Sequence, residues 1–146
     1  MKRFRFELDP ALRWRKQRLD LHQAKLQQLN WELGRVRAAS QQLASDYQQA
    51  EAFTRSHSEI NAADLQALAA YRYAIDERQR QLRRQEAQLV EDVERQRRLW
   101  MEEARQLQLL EKLKQRKRQE WSQQLAREID QQASEAYLAQ WKRGER

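Results

Sequence analysis

Apolar side chains recur along residues 12–50 at alternating intervals of three and four. Leu12, Leu19, Leu26, Leu33, Ser40 and Tyr47 fall on one heptad line, and Arg15, His22, Leu29, Val36, Leu43 and Ala50 fall on a second. That spacing belongs to a helix that buries a narrow seam against another helix. The pattern lapses over Thr54-Arg-Ser-His-Ser-Glu59 and then resumes. Leu68, Ile75, Leu82, Leu89, Gln96, Glu103 and Leu110 form one line of the second segment, and Val93, Trp100 and Leu107 form the other, which Gln79 and Glu86 weaken. Beyond Leu110 the better line is Lys114, Trp121, Leu125, Ile129 and Ala136, nearer the period of a straight helix, so supercoiling should relax there.

Few residues interrupt these segments. Pro10, Gly34 and Gly144 are the helix breakers, too few to build the turns of a multi-layer domain. Gly34 lies off the seam, where it costs about 1 kcal/mol against Ala without ending the helix. At the first helix start, Asp9 is placed to cap the first-turn amides, and Pro10 gives up an amide hydrogen that has no helical partner. At the second, Asn61-Ala-Ala-Asp64 reads as a capping box, with Ile60 and Leu65 spaced as a hydrophobic staple. The spacing therefore predicts an all-α fold, a two-helix antiparallel coiled-coil hairpin. A single coiled-coil domain over 1–146 has helix one at about 10–55, a reversal at about 56–61 and a longer helix two at about 62–142. The same heptads would serve a homodimer whose arms pair between chains.

Two ends of this arrangement carry the remaining information. Ahead of Asp9, Phe4, Phe6 and Leu8 alternate with Arg3, Arg5 and Glu7, which reads either as an extended arm or as a loose terminus. With the reversal centred near Ser58, helix one, about 70 Å long, ends opposite roughly Gln108, while helix two runs on to about 120 Å. About 35 residues of helix two are then expected to lack an intrachain partner. They include Lys112, Lys114, Arg116, Lys117 and Arg118, followed by Trp121, Leu125, Ile129, Tyr137 and Trp141.

Composition narrows the function. With 40% apolar and 35% charged residues, and a mean hydropathy of −1.17, the chain has the balance of a helical rod rather than of a globular domain. The regular Leu, Trp, Tyr and Ile positions separate it from a disordered chain. The 29 Lys and Arg against 22 Asp and Glu leave a net charge of +7, which favours acidic protein surfaces, nucleic acid or anionic lipid as partners. The basic start Met1-Lys-Arg-Phe-Arg-Phe6 is not followed by an apolar stretch, and no run is long enough to span a membrane, so a cytoplasmic protein is expected. Absence of cysteine excludes a disulfide framework or a thiolate metal site. With two histidines, His22 and His57, and no glycine-rich phosphate loop, neither metal, cofactor nor catalysis is expected. His22 on the seam reads as a polar residue that sets register. The basic cluster Lys112 to Arg118 is interrupted by Leu113 and followed by aromatic residues, unlike the basic region ahead of a parallel zipper, so an acidic protein groove is favoured over DNA.

Several segments resemble a known family. Phe4-Arg-Phe-Glu-Leu8, the Asn61-Ala-Ala-Asp64-Leu65 restart, Leu110-Glu-Lys-Leu-Lys-Gln-Arg-Lys-Arg-Gln-Glu120 and the acidic, alanine-containing tail Glu128 to Ala136 resemble FliJ proteins, the coiled-coil components of flagellar protein export. The similarity covers nearly the whole chain and is most specific over Leu110 to Glu120. The tail departs from the family at Ser134-Glu135, where an Asp-Glu pair is usual. The resemblance implies a non-enzymatic stalk and export chaperone of the flagellar type III export apparatus, cytoplasmic and peripheral at the inner face of the cell membrane. Its implied partners are the hexameric export ATPase, the cytoplasmic domain of the export gate protein and substrate-specific export chaperones. By position, it implies gate contacts at Leu43, Tyr47, Tyr71 and Ile75. On the ATPase side, the candidates are Arg13, Arg15, Lys16, Lys112, Lys114, Arg116, Lys117 and Arg118, with Trp121 as an aromatic anchor. An injectisome stalk of the same shape and a basic coiled-coil nucleic-acid binder are the competing expectations.

Overall fold

The computed structural model describes residues 3–57 and 59–145. Ser58, at the expected centre of the reversal, and Met1 and Lys2 of the basic start lie outside them. Two helices, α1 (Asp9–Ser56) and α2 (Ala62–Gly144), make up the fold, and they pack as an all-α helical hairpin. Contacts divide the chain into two units, Asp20–Met101 and Met1–Leu19 with Glu102–Arg146.

In the unit Asp20–Met101, positions that meet across the hairpin run in opposite directions. His22 meets Gln96, Arg37 meets Glu86, Ser40 meets Gln79 and Tyr47 meets Arg72. Each seam residue of the two heptad lines up to Ala50 and Leu110 is buried or half-buried. Leu33, Ile75 and Leu82 are the best-buried apolar side chains of this unit, as expected where two apolar stripes exclude water together.

Polar seam positions are satisfied in pairs. The Ser40 hydroxyl donates to Gln79 Oε1 at 2.7 Å, and the Gln79 amide donates back to the Ser40 carbonyl at 2.8 Å. The Gln96 amide lies 3.1 Å from the His22 carbonyl and 2.9 Å from His22 Nδ1. Each bond closes only when those two residues stand opposite one another. An apolar seam tolerates slippage far better, so these pairs select the register.

The second helix starts as its capping box requires. The Asp64 amide donates to Asn61 Oδ1 at 2.8 Å and the Asn61 amide to Asp64 Oδ2 at 3.4 Å. Ile60 and Leu65, the expected staple pair, both stay exposed, and Ile60 lines a groove with Leu68.

The first helix starts differently from expectation. The Leu12 amide donates to the Leu8 carbonyl at 2.9 Å, so the helical bonding begins one residue earlier. The Asp9 carboxylate is drawn to Lys114, 2.8 Å away. A cation on the neighbouring helix competes with the first-turn amides for that carboxylate, and Pro10 still falls in the first turn, where no bond is lost.

Candidate partner-binding surfaces

The expected site residues separate by unit. Leu43, Tyr47, Tyr71 and Ile75 belong to Asp20–Met101, whereas Arg13, Arg15, Lys16 and the residues from Lys112 to Trp121 belong to the other unit.

In the first set, Ile75 is buried and Leu43 is half-buried on the seam. Tyr47 is half-buried with the Arg72 guanidinium 5.7 Å from its ring centre. Of the four, Tyr71 offers the most open side chain, and it lines a shallow groove of ≈ 340 Å³ with Phe53, His57, Ile60 and Leu68. Phe53 and His57 stack at 4.1 Å beside it. Ile75 and Leu43 are thus seam residues, and Tyr71 forms part of the open groove. Phe53 and Ile60 are exposed apolar residues of the same groove; spacing did not single out Phe53, which sits where the heptad pattern runs out, and read Ile60 only as part of a staple.

In the second set, several side chains are engaged within the chain. Glu103, buried on the seam, takes Arg15 at 3.1 Å and Arg18 at 3.1 Å. Both guanidinium groups also lie over the Trp14 ring, at 5.1 and 4.8 Å, a combination of ion pair and cation–π contact that holds them flat on α1. Lys114 is tied to Asp9 and lies 6.0 Å from the Phe6 ring centre. Lys117 pairs locally with Glu120 at 3.2 Å. Arg13, Lys16, Lys112, Arg116 and Arg118 are exposed and make no ion pair among the described residues.

Trp121 is also engaged. Residues 3–8 run outside the helix as a strap along α2, with Phe6 only 7% exposed and Phe4 packed on Trp121 at 5.9 Å between ring centres. The strap and α2 border a groove of ≈ 880 Å³ whose apolar walls are Phe4, Phe6, Leu8, Leu113, Trp121 and Leu125. This corrects the expected overhang. Asp9 stands at Lys114 rather than further back, and the six-residue strap continues the cover toward Leu125. Residues 7 and 8 form a turn, with the Asp9 amide donating to the Phe6 carbonyl at 3.1 Å, so only residues 3–6 are drawn out, and at about 3.3 Å per residue against 1.5 Å in a helix they cover about 9 helical positions. All residues from 126 to 145 are exposed, in contrast to the half-buried Trp121 and Leu125 before them.

Among the described residues, no group of His, Asp or Glu is arranged to hold a metal ion, and no helix is long and apolar enough to cross a membrane. The chain matches no family model, no curated protein and no solved structure.

Proposed function

We propose that this chain is a non-enzymatic stalk and export chaperone of the flagellar type III export apparatus, bridging the export ATPase ring and the export gate. The observation that carries the reading is the basic group of Lys112, Arg116 and Arg118, exposed and without ion pairs among the described residues, next to a stretch of α2, residues 126–144, that is exposed throughout. Such an end suits a lumen lined by carboxylates, where unpaired cations speed encounter and fix orientation. Tyr71 and the groove beside it, in the other unit, supply a separate apolar surface for the gate protein. The resemblance of Phe4–Leu8, Asn61–Leu65 and Leu110–Glu120 to FliJ proteins supplies the names of the two partners.

The test is capture of the cognate flagellar export ATPase by the full-length chain at physiological salt. Binding is expected for the natural chain and is expected to drop at least about tenfold when Lys112, Arg116 and Arg118 are all changed to Glu. Absence of binding by the natural chain overturns the reading. Equal binding by the triple variant removes the basic group from it.

A further inference from the structure

Residues 38–71 reverse the charge of the chain. Against +7 overall, this stretch holds Asp46, Glu51, Glu59 and Asp64, with Arg55 as its one Lys or Arg. Arg55 is taken by Glu51 on its own helix. Glu59 and Asp64 make no ion pair among the described residues, and both line the groove beside Tyr71. Asp64 Oδ2 accepts the Asn61 amide only at 3.4 Å, so this carboxylate, which can accept about four hydrogen bonds, keeps the capacity for a stronger partner.

The rest of the groove is largely apolar. Phe53, Ile60 and Tyr71 are 64%, 42% and 40% exposed, and Leu68 is half-buried. Such side chains gain by excluding water together with those of a partner. The volume of ≈ 340 Å³ lies at the small end of ligand pockets, so the groove admits one or two side chains rather than the face of a helix.

Charge and shape select the same occupant. An anionic segment is repelled by Glu59 and Asp64, and a purely apolar one leaves their charges partly desolvated with nothing to meet them. A cation beside an apolar side chain satisfies both demands, and the ring faces of Phe53 and Tyr71 attract a cation as well.

We infer that this groove takes a short segment of a partner protein in which a bulky apolar side chain stands next to a Lys or Arg. The apolar side chain seats among Phe53, Ile60, Leu68 and Tyr71, and the cation meets Glu59 and Asp64. This deepens the gate-side reading and rests on it for the identity of the partner alone; the chemistry of recognition follows from the groove.

Short synthetic Gly/Ser peptides test the inference on the full-length chain at physiological salt, with binding followed by the amide chemical shifts of the groove residues. One peptide carries Trp-Lys-Lys at its centre, one Trp-Glu-Glu and one Ser-Lys-Lys. The first is expected to shift the amides of Phe53, Ile60 and Tyr71 and to bind at least about fivefold more tightly than either of the others. Glu59→Gln combined with Asp64→Asn, which keeps an acceptor for the Asn61 amide, is expected to weaken its binding several-fold, as is Tyr71→Ser. No shift at these residues, equal binding of either control peptide, or undiminished binding by the charge-removed chain overturns the inference. The gate reading is decided separately, by capture of the cytoplasmic domain of the gate protein. Capture that ignores the Glu59 and Asp64 substitutions overturns the inference alone. No capture, beside the expected peptide binding, removes only the gate protein as the partner.

Discussion

Glu103 occupies a seam position that a leucine would ordinarily fill, with its carboxylate between the guanidinium groups of Arg15 and Arg18. Removing it leaves two cations facing an apolar seam, while their partial exposure lets water recover part of the loss. Glu103→Ala is therefore expected to lower stability by about 1–2 kcal/mol in chemical denaturation, and Glu103→Gln, which keeps an acceptor, by less. Gly34 gives the opposite sign. A Cβ there meets nothing within 4 Å, so Gly34→Ala should raise stability by about 0.5–1 kcal/mol through the unfolded chain alone, read as a higher denaturation midpoint. Spacing placed His22, Ser40, Gln79, Gln96 and Glu103 on the seam correctly. It did not reveal their partners, His22 with Gln96, Ser40 with Gln79 and Glu103 with Arg15 and Arg18, because a heptad states which face turns inward and not which residue stands opposite.

At the scale of elements, the Asn61 cap and the strap were legible to different degrees. The capping box is a local motif in which two side chains satisfy two amides four residues apart or fewer, so four letters of sequence contain the whole device. Asn61→Ala is expected to cost about 1 kcal/mol, measured as a lowered thermal midpoint. The strap is not local. Its alternation of Phe4, Phe6 and Leu8 with charged residues fitted a loose terminus equally well, and only packing on Trp121 and Lys114 distinguishes the two. Phe6→Ala removes its buried anchor. Because so short a segment opens by itself, the expected result is faster amide hydrogen exchange in residues 113–125 with little change in the global midpoint.

For the whole molecule, the net charge of +7 is distributed so that many of the basic side chains are held by carboxylates or aromatic rings, while Arg13, Lys16, Lys112, Arg116 and Arg118 make no ion pair among the described residues. Exposed charges of that kind are screened by salt, so capture of an acidic partner is expected to weaken several-fold between low and physiological ionic strength, as a titration would measure. The contacts across the hairpin also carry an order in time. Ser40 and Gln79 are 39 positions apart, His22 and Gln96 are 74, Arg15 and Glu103 are 88, and Asp9 and Lys114 are 105. Closing a longer loop costs more chain entropy, and the inner pairs shorten the loop for those that follow. The hairpin is therefore expected to zip from its capped turn outward, with pulse-labelled amides near Ser40 protected before those near Lys114. Phe6 then docks last, and on unfolding the strap is the first thread to come loose.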